Sequence, residues 1–122
     1  MMNSIIDLHC HSTISDGLLT PTELVNYAKK CNVNVMALTD HDDIAGLKEA
    51  RIAAKSAGIE FISGVEISVT WNKRTLHIVG LNFDENNLKL TNGLKSIRKG
   101  RDIRAKKMAH SLGMAGIMNA YE

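Results

Sequence analysis

The sequence predicts an α/β fold with a parallel sheet, and two observations support that class. Apolar and amphipathic segments alternate in the order strand, helix, strand, helix, strand, which is the order of parallel sheets with right-handed crossovers. The middle strand is apolar along most of its length, as a strand buried on both faces is. With only three such strands in 122 residues, one edge and one face of the sheet remain uncovered. We therefore expect the N-terminal part of a larger domain.

The first strand and first helix have local signals. Ile5, Ile6 and Leu8 predict a strand that ends in the polar stretch 9–17. Residues 20–23 read Thr-Pro-Thr-Glu, a capping box with proline at the first helical position, so a helix begins there. The residues expected to face the core of that helix follow at helical spacing: Leu24, Val25, Ala28 and Cys31.

The remaining elements follow from the same kinds of signal. Residues 33–38 predict the second strand, and a second helix runs from about Asp43 to Ala57 with Gly58 as its C-terminal cap. Residues 59–69 predict the third strand, 71–74 a turn and 75–81 a returning strand, which together indicate a hairpin. A helical period then continues from residue 88 to about 112.

The charges divide the chain near residue 85. Residues 1–85 hold 7 basic and 11 acidic residues, whereas residues 86–122 hold 8 basic and 2 acidic ones. We predict an acidic, histidine-rich first part suited to divalent metals and a basic helical segment over 86–122. That segment is either a clamp for an anionic substrate or a solvated helix face, and charge alone favours the second.

Composition excludes several function classes. Aromatic residues make up 4% of the chain, too few for the stacking surfaces of single-strand nucleic-acid binding proteins. Two cysteines and an N-terminus without a basic, apolar leader predict reduced thiols in a cytoplasmic protein. No apolar run approaches the roughly 18 residues that span a membrane, so we expect no membrane insertion.

Polar side chains that could bind metals lie where the predicted strands end. His9 and His11 close the first strand and, two residues apart on an extended chain, project to the same side. Glu66 lies between apolar neighbours in the third strand, where an unpaired carboxylate would be costly. Carboxyl ends of parallel strands converge, and mixed histidine and carboxylate sites suit Zn, Mn or Fe. The other residues expected at this edge are Asp16, Asp40, His41 and His77.

The metal-binding candidates lie in four ordered motifs: Asp7-Leu8-His9-Cys10-His11-Ser12 with Ser15-Asp16-Gly17, Ala37-Leu38-Thr39-Asp40-His41-Asp42, Gly64-Val65-Glu66-Ile67-Ser68, and His77-Ile78-Val79-Gly80-Leu81. These motifs resemble those of the PHP family, the polymerase and histidinol phosphatase phosphoesterases. Within the family, the compact segment 15–21 and the short hairpin look more like the RNase AM and 3′,5′-nucleotide bisphosphatase branch than like the polymerase domain.

The resemblance implies the N-terminal part of a distorted (βα)7 barrel that holds two or three divalent cations, Mn²⁺ as first choice and Zn²⁺ or Fe²⁺ as alternatives. It implies metal ligation by His9, His11, Asp16, His41, Glu66 and His77, with His9, His11, His41 and Glu66 as the catalytic set. Asp7 and Asp40 are implied to orient imidazoles. Arg101 and Arg104 match arginines of a helical insertion and are implied to bind a substrate phosphate.

Two functions remain open at this point. The resemblance implies a metal-dependent phosphoesterase that acts on a nucleotide or on the 5′ end of RNA, with further ligands supplied by the missing C-terminal half of the barrel. Because those ligands are not in this chain, the segment alone is expected to be inactive. The alternative is a truncated, non-catalytic PHP remnant that binds metal or serves as an interaction domain. A third interpretation, a structural α/β domain with coincidental histidines, is the weakest.

Overall fold

A four-stranded sheet organises the first part of the chain in the computed structural model, which describes residues 3–121. The strands β1 (Ile5–Cys10), β2 (Val33–Leu38), β3 (Glu60–Trp71) and β4 (Arg74–Leu81) lie side by side in chain order. β1 pairs with β2 and β2 with β3 in parallel, whereas β3 and β4 are antiparallel. The expected α/β class, with parallel strands followed by a hairpin, is confirmed.

Helix α1 (Pro21–Lys30) begins where the capping box predicts. The Thr20 hydroxyl accepts the Glu23 backbone N–H at 3.3 Å, and the Glu23 carboxylate accepts the Thr20 N–H at 2.9 Å. Two N–H groups at the start of the helix are thereby satisfied, which explains why the chain turns into a helix at this point.

Helix α2 (Leu47–Ala57) begins four residues later than predicted. The Asp43 carboxylate accepts the backbone N–H of Ala45 at 3.0 Å, which closes a local turn in place of a first helical turn. Gly58 ends the helix with φ +70°, the left-handed conformation that favours glycine, as predicted.

The hydrophobic core of this first part is formed by α1, α2 and β2. Its largest members, Met36, Leu38 and Leu47, are 1% exposed each. Burial of side chains of this size contributes about 1.5–3 kcal/mol each. Apolar packing therefore holds the helices on the sheet. The ends of the strands are not needed for this packing and can carry polar side chains. The other buried members are Val25, Ala28, Val33, Ala50, Ala54 and Ile59.

A tight turn sets the register of the β3–β4 hairpin. Asn72 and Lys73 both have positive φ, 46° and 62°, as a two-residue hairpin turn of type I′ requires. The register pairs Ser68 with His77 and Glu66 with Val79. His77 is thus carried back toward the part of β3 that contains Glu66.

Packing divides the chain after Asn87, and a single long helix, α3 (Leu88–Met114), forms most of the second unit. Leu94 is buried and Ile97 half-buried, whereas Met108 and Leu112 further along the helix are 67% and 39% exposed. No helix within residues 3–121 combines the length and apolar character needed to cross a membrane.

Candidate metal centre

Backbone pairing beyond the end of β2 brings three chain segments to one edge of the sheet. Thr39 N–H donates to Cys10 O at 2.9 Å, and Glu66 N–H donates to Asp40 O at 3.1 Å. An isolated parallel bridge then pairs His41 with Glu66. The residues that follow β1 and β2 are therefore aligned with the middle of the longer β3, and their side chains converge there.

Glu66 lies at the centre of the convergent side chains. Its Oε2 is 3.0 Å from His9 Nε2, 3.0 Å from His11 Nε2 and 3.7 Å from His41 Nε2. On the other side, Glu66 Oε1 is 3.9 Å from His77 Nδ1. Four imidazoles thus surround one carboxylate whose side chain is 10% exposed.

Asp16 approaches the same imidazoles from the loop after β1. Its Oδ1 is 3.3 Å from His11 Nδ1, and its Oδ2 is 3.5 Å from His41 Nε2. The ring centroids of His11 and His41 are 4.6 Å apart, so one carboxylate reaches both. Unlike Glu66, the Asp16 side chain is 67% exposed.

The donor atoms form three overlapping groups, within each of which all atoms lie within 4.8 Å of one another. Each group contains two histidines and one carboxylate, a donor set that suits Zn, Mn or Fe. Among the described residues, the buried Nδ1 atoms of His11 and His41 make no hydrogen bond, since the 3.3 Å contact of His11 Nδ1 with Asp16 lacks hydrogen-bond geometry. The residues present therefore fit a cluster of divalent cations. The groups are His9–His11–Glu66, His11–Asp16–His41 and His41–Glu66–His77.

The electrostatics of the site keep Glu66 ionised. Burial alone would raise the pKa of Glu66. The hydrogen bond with His9 and the charges of His41, His9 and His11 together lower it by more than burial raises it, so the pKa lies below its usual value. At neutral pH the side chain is a carboxylate, which is the form that binds a cation.

Cys10, between the two histidines of the first strand, faces the other way. Its Sγ donates to Ala37 O at 3.0 Å, and the side chain packs against the hydrophobic core. Burial, together with the charges of Asp7 and Asp40, raises the pKa of the Cys10 thiol to about 12. A thiol that stays protonated is neither a nucleophile nor a metal ligand at neutral pH.

The two carboxylates expected to orient imidazoles make different contacts. Asp7 Oδ1 accepts the backbone N–H of His9 at 3.2 Å. The buried Asp40 accepts hydrogen bonds from Ser12 and Ser15 in the loop that carries Asp16. The expectation that they act on the imidazole rings stays a prediction.

Three residues of the site were missed by the sequence reasoning. Ser12 is fully buried and, with Ser15, binds Asp40. Asp42, also fully buried, accepts the Ser68 N–H at 2.6 Å, and its own N–H donates to Glu66 O at 3.0 Å. The positive φ of Asp42, 53°, is reached more readily by aspartate than by most side chains. All three residues lie within the motifs of the sequence analysis, but the motifs do not reveal their hydrogen-bond partners.

Arg101 and Arg104 lie on α3, in the second unit, and both side chains are exposed. Their assignment to a substrate phosphate stays a prediction.

Comparison with known proteins identifies the family. The PHP domain matches residues 7–114. The chain belongs to the PHP family. A 5′-3′ exoribonuclease of Haemophilus influenzae is 56% identical over 121 residues, and a 3′,5′-nucleoside bisphosphate phosphatase of Chromobacterium violaceum is 51% identical over 117 residues. These matches cover 99% and 96% of this chain but 44% and 41% of the relatives, so the chain spans about two fifths of their length.

A solved structure from Chromobacterium violaceum, described as an amidohydrolase with bound sulfate and no metal, matches 97% of this chain with a TM-score of 0.89 at 51% identity. The match covers 42% of that protein. The expected PHP-type barrel, present here in part, is thereby confirmed, as is the predicted resemblance to the exoribonuclease and bisphosphatase branch.

Proposed function

We propose that this chain is part of a metal-dependent phosphoesterase that hydrolyses phosphate esters of nucleotides or RNA. The observation that carries the proposal is the sharing of Glu66 between two of the three donor groups, in a chain of the PHP family. A carboxylate shared by two ligand groups suits a multinuclear site for phosphoryl chemistry. The names of the two relatives, an exoribonuclease and a nucleoside bisphosphate phosphatase, support the substrate class.

Six residues would hold the cations. His9 and His11 serve one position with Glu66, and Glu66 and His77 serve a second that His41 also borders. Asp16 and His41 serve a third, which His11 borders. Bound divalent cations neutralise the anionic phosphate oxygens, orient the ester and lower the pKa of water, so that no protein nucleophile is needed. Mn²⁺ is the first candidate, with Zn²⁺ and Fe²⁺ as alternatives.

The protein's own contribution is position and charge. Glu66 holds a negative charge in a buried place because four imidazoles face it. The strands fix His9 and Glu66, so the donor geometry exists before substrate binds. We assign Glu66, His9, His11 and His41 to the catalytic set, with Asp7 and Asp40 as supporting carboxylates.

We assign Arg101 and Arg104 to a phosphate of the substrate that is remote from the bond that breaks. Guanidinium groups bind phosphate through paired hydrogen bonds, and α3 offers both side chains on its exposed surface.

A second candidate function is a non-catalytic PHP remnant that binds metal. The chain spans 44% and 41% of the length of the two relatives, and this candidate applies only if these 122 residues act without the rest of that length. Any ligands that the relatives hold in their remaining length would then be missing. The predicted cytoplasmic location applies to both candidates and stays a prediction.

The two candidates are separated by a chimera that joins this chain to the unmatched remainder of the Haemophilus influenzae exoribonuclease. Loaded with Mn²⁺, the chimera is assayed with a 3′,5′-nucleoside bisphosphate and with RNA that carries a 5′ phosphate. We expect turnover, which Glu66→Gln abolishes. A folded chimera that binds Mn²⁺ but releases no phosphate and shortens no RNA would favour the remnant.

The arginine assignment is tested in the same chimera. Arg101→Ala and Arg104→Ala should each raise KM about tenfold and leave kcat nearly unchanged, because a remote phosphate is bound equally in ground and transition states. Lys95→Ala, which removes an exposed charge from the same helix, is the matched control and should leave KM unchanged. Equal KM values for all three variants and wild type would remove the two arginines from the site.

A further inference from the structure

The Ser15 hydroxyl lies beside two carboxylates, that of the buried Asp40 and that of the exposed Asp16. Its hydroxyl donates to Asp40 Oδ1 at 2.7 Å, and the same oxygen is 3.3 Å from Asp16 Oδ1. A hydroxyl has one proton, so the shorter contact takes it. Ser15 is therefore fastened to Asp40, and the backbone that joins Ser15 to Asp16 restricts where the Asp16 carboxylate can lie.

Asp40 is a rigid anchor for this contact. It is 1% exposed and also accepts the Ser12 N–H and the Ser12 hydroxyl, both at 2.7 Å. With Ser15, three short hydrogen bonds to charged oxygens hold it, and bonds of this kind are about twice as strong as neutral ones. Its backbone is fixed as well, because Asp40 O accepts the Glu66 N–H.

Asp16 lacks such support of its own. Its side chain is 67% exposed, and it lies in a turn rather than on a strand. The turn is built around the buried Ser12, whose carbonyl accepts the N–H groups of Ser15 at 3.1 Å and Gly17 at 2.8 Å. An exposed carboxylate loses rotamer and backbone freedom when it binds a cation, unless its neighbours have already restricted it.

We propose that Ser15 is a positioning residue that presets the Asp16 carboxylate for the cation position formed by His11, Asp16 and His41. It does so by tying the turn to Asp40, without binding the cation or the substrate itself. Loss of the Ser15 hydroxyl weakens this position and leaves the two positions that share Glu66 intact. The inference rests on the metal site proposed above.

The test is a titration of the metal-free chain with Mn²⁺, in which free Mn²⁺ is measured by its electron paramagnetic resonance signal. Asp16→Ala identifies the class of sites that depends on Asp16. Ser15→Ala is expected to weaken that same class about 10- to 100-fold, the usual cost of losing a partner of a metal ligand, and no other class. Ser15→Thr, which keeps the hydroxyl, should restore the wild-type isotherm, and Thr13→Ala, an exposed hydroxyl of the same loop, should not change it.

A double-mutant cycle decides whether Ser15 acts through Asp16. In the Asp16→Ala background, Ser15→Ala should have no further effect on Mn²⁺ affinity. An equal effect with and without Asp16 would overturn the proposal, as would a uniform loss across all classes or a Ser15→Ala chain that fails to fold. A wild-type chain that binds no Mn²⁺ would instead reject the proposed function, so the two failures are distinct.

Discussion

Gly17 is the residue whose substitution we expect to damage the loop after β1 most directly. A Cβ atom placed on Gly17 would lie 2.3 Å from His11 O, 2.5 Å from His11 C and 2.8 Å from Ser12 Cα. Optimal contacts with carbon are about 3.5–4.0 Å, so the new methyl is about 1 Å too close. All three neighbours are backbone atoms, which cannot rotate away as a flexible side chain can.

The expected cost of Gly17→Ala is about 1–3 kcal/mol in the free energy of unfolding, the usual range for overpacking. Against it stands a gain of about 0.4–1 kcal/mol, because alanine restricts the unfolded chain more than glycine does. The clash is the larger effect. Because Asp16 immediately precedes Gly17, the shift that relieves the clash also moves this proposed metal ligand, and Mn²⁺ affinity should fall together with stability.

Urea unfolding followed by circular dichroism measures the first effect, and the Mn²⁺ titration measures the second. Gly80→Ala is the matched control, since the nearest atom to its new Cβ, Val65 Cγ1, is at an ordinary 3.5 Å. The free energy of unfolding of Gly80→Ala should equal that of the wild type or exceed it by up to about 1 kcal/mol. If Gly17→Ala were as stable as wild type and bound Mn²⁺ equally well, the backbone of the loop could move to make room for the methyl group at no cost. That result would refute the predicted clash.

The remaining predictions concern the metal and the exposed strands. His9→Ala combined with His11→Ala should remove at least one equivalent of bound metal by elemental analysis, and an unchanged content would contradict the site. Mn²⁺ at about 100 times its dissociation constant should raise the free energy of unfolding by roughly 2.7 kcal/mol, and a chelator should reverse this. Ile6 and Ile78 are 59% and 53% exposed on β1 and β4, so the chain should self-associate in sedimentation experiments. Ile6→Lys or Ile78→Lys should reduce that association, whereas a monomer at all concentrations would contradict it.

The parts of the fold that could be predicted are those with a local cause. β2 has the predicted bounds because all its residues except Asn34 are apolar and four of the six are buried, and α1 begins at Pro21 because the capping box lies within four residues. The predicted start of α2 was wrong because the Asp43 carboxylate accepts the backbone N–H of Ala45, an alternative that the helical spacing of the apolar residues does not reveal.

The six ligand candidates were predictable for a different reason. Each follows or interrupts a strand, and the parallel order of β1, β2 and β3 brings the strand ends together regardless of the details of packing. His77 was expected at this edge from its place on the returning strand, and the register that the Asn72-Lys73 turn imposes on the hairpin carries it there.

The family resemblance implies different roles for Asp16 and Asp40, but the residues alone offer no physical reason for that division. Both carboxylates belong to motifs of the same family, and each could in principle bind a cation. The structure separates them by environment, since Asp16 is exposed beside two imidazoles while Asp40 is buried under three hydrogen bonds from residues 25–28 positions away. A carboxylate whose oxygens already accept three short bonds has little capacity left for a metal, whereas one that faces two ring nitrogens has its lone pairs available. Exposure and the number of hydrogen-bond partners, which only the folded chain determines, therefore favour the proposed role of Asp16 as the ligand and of Asp40 as its anchor.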